Sequence, residues 1–305
     1  MRFRRVAAIA VIVAAAGATT AAMLPPAPAD RPQPMPALTS RALAARYTAN
    51  SHRITLAASA ARHAGDINLA RALGHMEGHH FLDFNPRGQG LAVEVIGNLA
   101  QAARVGILVP GSDTSLTTFD SRGAASPAGS AAALAAQARR LDPRSRLAII
   151  AWVGYATPRT LSPAVLTSGD ARQGAEALRP FVRDLARDGR HVALLCHSYG
   201  SVVCGLAAPH LPVTDIAVFG SPGMDASSAR ALDSRARVWA GRGTGDWMRD
   251  VPFVRVLGLG FGQDPTAAAF GARHFSCGGA GHSGVRGGSD RRERRPAVGG
   301  QGPGQ

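Results

Sequence analysis

The sequence predicts an α/β fold: a mainly parallel sheet with helices on both faces and no large cap domain. Three observations carry this reading. Residues 105–109, 147–153 and 192–195 are uninterrupted apolar runs, as strands buried on both faces must be. Residues 130–140 and 170–187 repeat their apolar positions with a helical period, and strands alternating with helices imply parallel pairing. Residues 191–206, HVALLCHSYGSVVCGL, pass from a strand through a tight turn into small residues that start a helix, with Ser198 at the apex.

In chain order, residues 1–5 are basic and residues 6–17 are an apolar run followed by small residues to Ala22. Charged start, short apolar core and small-residue exit are the layout of a secretory signal. Residues 1–24 are therefore expected to be a signal peptide or an uncleaved membrane anchor, and the protein to be secreted or attached to the cell envelope. Residues 25–36, PPAPADRPQPMP, read as a proline-rich linker. The folded domain is expected over residues 37–284.

Residues 37–77 suit one or two helices. His75, His79 and His80 invite a metal reading, since i and i+4 share a helix face. Glu77 is misplaced for a His-Glu-x-x-His site and Gly78 weakens the helix, so a surface histidine cluster at a helix end is expected instead. Residues 81–84 and 90–96 read as strands joined by the turn formers Asn85, Pro86, Arg87 and Gly88. The strand at 105–109 ends at Pro110, Gly111, Ser112 and Asp113. A helix over 130–140 and a strand over 147–153 follow. The helix over 170–187 sets Ala171, Ala175, Leu178, Val182 and Leu185 on one side, with Ser168 as its cap and Pro180 expected to kink it. After the elbow strand come a strand at 215–219, a short helix at 226–232 and a strand at 237–240.

Composition narrows the partners. The net charge is +14 and every cationic side chain is arginine, a bias that points to GC-rich codons as much as to an anionic ligand. The arginines have no aromatic interleaving, which argues against a nucleic-acid groove; attraction to anionic envelope polymers or lipid is compatible with the charge. The three cysteines have neither metal-ligand spacing nor an even disulfide framework, and Cys196 and Cys204 are expected to serve packing. No metal or organic cofactor is expected.

The chemistry follows from Ser198. The pentapeptide Cys-His-Ser-Tyr-Gly differs from the Gly-x-Ser-x-Gly nucleophile elbow only in Cys196, which is small enough to stand for glycine. In such sheets the acid and then the base follow the serine along the chain. Asp246, in the loop after the strand at 237–240, is the favoured acid. Asp225 reads as a helix N-cap, and Asp250 is the third choice. His282, bracketed by Gly281 and Gly284, is the favoured base over His274 and over His197, whose side chain should leave the turn in another direction. The serine hydroxyl needs His282 to accept its proton, and Asp246 to orient and stabilise the imidazole. Backbone N–H groups of Tyr199, Gly111 and Ser112 are the expected oxyanion donors.

The stretches ILVPGSDTSL from Ile107, IIAWVGY from Ile149, CHSYGSVVCGLAA from Cys196, VFGSPGMD from Val218, DPTAAAFGARHF from Asp264 and GAGHSG from Gly279 carry a resemblance. Over residues 80–284 the chain resembles the bacterial α/β-hydrolase family long catalogued as a domain of unknown function. The resemblance implies that fold, with Ser198, Asp246 and His282 at the positions matching the catalytic triad. It leaves the substrate open. The chain departs from the family pattern after Gly284, where an aromatic residue and a closing helix would continue. Residues 285–305 are arginine, glycine and proline without helical periodicity and are expected to be disordered; a shifted reading frame near Val285 would explain the switch.

The function expected is a serine hydrolase that cleaves carboxylic esters or related acyl compounds through an acyl-enzyme. With little chain between Phe219 and Arg237 to insert a cap, small to medium acyl substrates are expected. Its rivals are a peptidase or thioesterase using the same residues, and a catalytically inactive binding protein of the cell envelope.

Overall fold

The computed structural model describes residues 37–121, 126–255 and 258–282. The expected signal or anchor, the proline linker, the 285–305 tail and the last two residues of the expected domain lie outside them.

Apolar runs become strands at the centre and helices fold back over them. Helices α1 (Leu43–His63) and α2 (Ile67–Met76) lead into the antiparallel pair β1 (Phe81–Asn85) and β2 (Leu91–Ile96). Then come β3 (Arg104–Val109), the single turn α3 (Leu116–Phe119), α4 (Pro127–Leu141), β4 (Leu147–Val153), α5 (Gly169–Arg187), β5 (His191–His197) and α6 (Gly200–Ala207). β6 (Asp215–Phe219), β7 (Gly223–Ala226), β8 (Arg237–Gly241), β9 (Phe261–Gly262) and β10 (Arg273–His274) complete the described elements. The main sheet runs β1-β2-β4-β3-β5-β6-β8-β10; β4 and the strands beyond it pair in parallel, while β7 and β9 form a small ladder of their own.

Each face of the sheet has its own core. Val192, Leu194 and Cys196 of β5, with Ile216, Val218 and Val238, pack against Ala171, Ala175, Leu178 and Val182 of α5 and Val202 and Val203 of α6. The other face joins Leu108, Ile149, Ala151 and Val153 to Ala128, Ala131 and Ala135 of α4 and to Leu73 and Met76 of α2. The small α4 residues let that helix lie close on the sheet. Burial on both faces explains why β3 and β4 carry no polar alternation.

Four expectations are corrected. Residues 226–232 hold no α-helix: 223–226 extend as β7 and only Arg230–Leu232 form a 3-10 turn. Asp225 accordingly caps nothing; its backbone has φ 57°, and its carboxylate accepts from Ser168 Oγ at 3.0 Å and pairs with Arg255 at 2.8 Å. Ser168 stands at the α5 N-cap without a side-chain capping bond, because its hydroxyl is spent on Asp225. Cys196 and Cys204 are joined in a disulfide, so their role is covalent and not packing alone. Spacing hid this bond, because only the reversal of the chain at Ser198 brings the strand end beside the helix.

Among the described residues no helix is long and apolar enough to cross a membrane. Of the histidine cluster, His79 bonds Glu94 at 2.8 Å and the His80 ring stacks on Tyr47. No group of three or more potential metal ligands comes together among the described residues.

Candidate active site

Ser198 sits at the end of β5 in the left-handed region, with φ 52°, a conformation a non-glycine residue holds only when its surroundings enforce it. They do so here. Its N–H donates to Phe219 O at 3.1 Å, and the disulfide ties Cys196, two residues before it, to Cys204 on α6. Gly200 lies so close to β3 that a Cβ would meet Val109 O at 2.4 Å and Pro110 O at 2.6 Å, so the turn after the serine admits no side chain. The strain presents the Ser198 hydroxyl at the sheet's edge, half-buried and open to a ligand.

Asp246 follows β8, the second strand beyond β5 in the sheet, and His282 lies in the glycine-rich loop after β10. The two loops meet at an isolated parallel bridge, Gly245 to Gly281. His282 Nδ1 is 2.9 Å from Asp246 Oδ1, and its Nε2 is 2.9 Å from Ser198 Oγ. A carboxylate only accepts, so Nδ1 carries the proton; Nε2 of the neutral ring is then bare and accepts from the Ser198 hydroxyl. Asp246 is 1% exposed, and its Oδ1 also accepts from Met248 N at 3.0 Å, which keeps the buried charge partnered. The structure thus brings Ser198, Asp246 and His282 together. Asp225, Asp250 and His274 stay apart: Asp225 faces Ser168 and Arg255, Asp250 ends the 3-10 turn Trp247–Asp250, and His274 is exposed on β10.

The loop after β3 lies against the serine. A Cβ on Gly111 would come within 2.6 Å of Ser198 Cβ and 3.1 Å of its Oγ. The loop is braced from the 155–160 segment: Tyr155 OH donates to Pro110 O at 2.9 Å, Thr160 N donates to Asp113 Oδ1 at 3.0 Å, and Thr114 N donates to Thr157 Oγ1 at 3.0 Å. Among the described residues, the N–H groups of Gly111, Ser112 and Tyr199 donate to no other protein group. These N–H groups are left unengaged in the turn and the loop next to Ser198.

Several contributors went unread in the sequence. His197 does leave the turn, as expected, but its Nε2 lies 2.7 Å from His282 O, and its ring is packed between those of Phe219 and His282. Burial, and next the nearby His282, push its pKa down to about 4. The ring is therefore neutral near pH 7, and Nε2–H donates to the carbonyl. Trp247 lays its ring 4.7 Å from that of His282. The adjacency of Trp247 to Asp246 was a signal for this contact; nothing local marks His197 as a partner of a residue 85 positions away. A cavity of about 1320 Å³ opens on Ser198 and His282, walled mainly by apolar side chains such as Val165, Leu166, Phe219 and Phe261.

Comparison with known proteins follows the same outline. The model of a family described as alpha/beta hydrolase matches residues 85–256, which includes Ser198 and Asp246 and stops short of His282. An uncharacterized protein of Mycobacterium tuberculosis is 30% identical over 217 residues, 62% of this chain and 32% of its own length. Another, from Mycobacterium bovis, is 33% identical over 153 residues, 47% of this chain and 56% of its own. The chain thus spans from about a third to just over half of the length of these relatives. Among solved structures, the esterase PE8 aligns with a TM-score of 0.40 and 17% identity over 63% of this chain and 91% of that one. A serine hydrolase without lid from Xanthomonas campestris aligns with a TM-score of 0.39 and 14% identity over 68% of this chain and 87% of that one.

Proposed function

The chain belongs to the alpha/beta hydrolase family, and from that premise we propose that it is a serine hydrolase that cleaves carboxylic esters through an acyl-enzyme. The observation that carries this reading is the hydrogen-bonded line Ser198 Oγ, His282 Nε2, His282 Nδ1, Asp246 Oδ1, with 2.9 Å at each junction.

In the reaction, Ser198 Oγ attacks the ester carbonyl while its proton passes to His282 Nε2. Asp246 holds the resulting imidazolium. The carbonyl oxygen becomes an oxyanion facing the unengaged N–H groups of Tyr199 and of Gly111 or Ser112, and removing one such donor costs about 10²–10³ in rate. Collapse breaks the ester C–O bond, and the departing alcohol takes the proton from His282. Water, deprotonated by the same imidazole, then attacks the acyl-enzyme, releasing a carboxylic acid and restoring Ser198. His197 supports this cycle by fixing the backbone of His282. No step asks for a metal or cofactor.

The disulfide next to the nucleophile supports an exported protein, because such bonds persist in oxidising compartments and are rare in the cytosol. Export agrees with the composition of residues 1–24. The acyl substrate is a small molecule, and the chain's positive charge fits a surface bearing anionic polymers or lipid.

A fluorophosphonate probe tests the reading. Labelling of the wild type that disappears in Ser198→Ala is the expected result; folded protein that takes up no probe would replace the enzyme with a binding protein of the same fold. Turnover of p-nitrophenyl esters faster than of the matching thioester and of a peptide p-nitroanilide separates an esterase from a thioesterase and a peptidase.

A further inference from the structure

Three consecutive peptide units lead from β3 past the nucleophile, and each is pinned by one group. Pro110 O accepts from Tyr155 OH at 2.9 Å, Gly111 O accepts from Thr114 Oγ1 at 3.1 Å, and Asp113 N donates to Pro158 O at 3.0 Å. The middle pin differs from the others, because it is a side chain of the loop itself, three residues further along. Thr114 is buried and firmly seated. The hydroxyl of Thr157, also buried, grips its backbone from both sides, accepting from Thr114 N at 3.0 Å and donating to Thr114 O at 2.8 Å. Asp113 completes the turn with φ 58°, and its carboxylate accepts from Thr160 N and Thr160 Oγ1.

These peptides are trans, so C=O and N–H point in opposite directions and each pin also aims an N–H. Pro110 O faces the elbow, where a Cβ on Gly200 would lie 2.6 Å from it. Gly111 N–H is thereby turned away from the start of α6, where Tyr199 presents its own N–H. The next peptide is held the other way. Thr114 draws Gly111 O into the turn, which directs Ser112 N–H out of it. Ser112 borders the same cavity as Ser198 and Tyr199, and among the described residues its N–H donates to no other protein group.

We infer that Thr114 is a positioning residue for catalysis: by bonding Gly111 O it holds Ser112 N–H as the second donor to the oxyanion formed at Ser198. The inference rests on the serine-hydrolase reading and adds to it which N–H partners that of Tyr199 and what keeps it in place. The need for a lock comes from the glycine. A Cβ at Gly111 would meet Ser198 Cβ at 2.6 Å, so the position admits no side chain, and glycine restrains its own backbone torsions less than any other residue. The close approach to the nucleophile thus leaves the Gly111–Ser112 peptide loosely held on its glycine side. The Thr114 hydroxyl supplies the missing restraint. An N–H aimed before the reaction starts costs no reorganisation when charge develops. The bond also polarises the peptide, since a carbonyl that accepts a hydrogen bond leaves its N–H the stronger donor. Thr114 itself touches no reacting atom and moves no proton.

The test uses the full chain, p-nitrophenyl butyrate as substrate and an alkyl trifluoromethyl ketone as inhibitor. Ser198 Oγ adds to the ketone carbon, its proton passes to His282 Nε2 and the carbonyl π pair moves onto oxygen, so the adduct carries the oxyanion without a leaving group. In Thr114→Val, kcat and kcat/KM should fall together by about tenfold or more, short of the ~10²–10³ for losing a donor outright, while KM moves by less than about twofold. The inhibition constant of the ketone should rise by the same factor. Thr114→Ser keeps the hydroxyl and should restore most of both. Wild-type turnover that Ser198→Ala abolishes and Thr114→Val leaves unchanged, or a rise in KM alone, overturns the role of Thr114 and leaves the hydrolase reading intact. A loss that Thr114→Ser does not restore assigns the side chain to packing and overturns the role as well. Wild type that takes up no fluorophosphonate and hydrolyses no ester removes the hydrolase reading, and the oxyanion donor with it. Should Thr114→Val fail to fold, a crystal structure of wild type phosphonylated on Ser198 decides. The phosphoryl oxygen is expected about 2.7–3.1 Å from Ser112 N, with Gly111 O still on Thr114; an oxygen held by Gly111 N instead overturns the assignment.

Discussion

Adding one methyl group at Gly111 should disable the enzyme without unfolding it. The added Cβ would stand 2.6 Å from Ser198 Cβ, against the ~3.5–4.0 Å at which carbon atoms rest, so the two must part by about 1 Å. Neither side yields easily. Ser198 is held by its N–H bond to Phe219 and the disulfide beneath it, and the Gly111 loop by Tyr155, Thr114 and Thr160. A displacement of about 1 Å at a reacting centre costs about 10²-fold, and disturbing an oxyanion donor costs a similar or larger factor. The two losses overlap because one movement causes both, so kcat for a p-nitrophenyl ester should fall about 10²–10³-fold. The stability cost should be about 1–3 kcal/mol, as for other overpacked sites. Initial rates, the fluorophosphonate labelling rate and a thermal melt of Gly111→Ala decide the matter. A variant that melts cooperatively and works within threefold of wild type would refute the assignment of this loop to the oxyanion.

Three further outcomes are expected. Asp246→Asn should lower kcat by about 10³–10⁴ through the wrong imidazole tautomer, measured against Ser198→Ala as the floor; activity near wild type would remove Asp246 from the triad. His197, whose pKa falls from 6.5 in the free state to about 4, leaves the unfolded chain as the better proton binder between those values. Stability should therefore decline as pH drops from about 6.5 to about 4, by about 3 kcal/mol at most. Urea melts of wild type and His197→Gln across that range test it, and parallel pH profiles would refute it. Breaking the Cys196–Cys204 bridge, with its separation of 8 residues, should cost about 2–3 kcal/mol on the chain-entropy account. Thermal melts with and without reductant measure the loss, and two free thiols in protein made under oxidising conditions would contradict the bond itself.

Much of the fold was legible because burial on both faces leaves unbroken apolar runs. The strands at 105–109 and 147–153 emerge almost to the residue, and the order serine, acid, base picked out three side chains spread over 85 positions that the structure brings together. What stayed hidden depends on contacts from afar. Asp225 looks locally like a helix cap, yet Ser168 and Arg255 draw it into an extended segment with positive φ. Cys196 and Cys204 look like packing residues until the chain reverses between them. Ala193, Leu195 and Ala217, half-buried among the described residues, read in the sequence like the fully buried positions beside them, because all are small or apolar.

The strand order has a consequence for how such a protein changes over time. β3 lies between β4 and β5, and the helices that follow β3 and β5 depart to opposite faces, α4 to one core and α6 to the other. The gap between Gly111 and Ser198 therefore starts from connectivity, and the missing side chain at Gly111 keeps it open. Rim residues such as Val165, Leu166 and Leu259 can be exchanged without closing it. The shape of the rim can change while Ser198, Asp246 and His282 keep their mutual geometry.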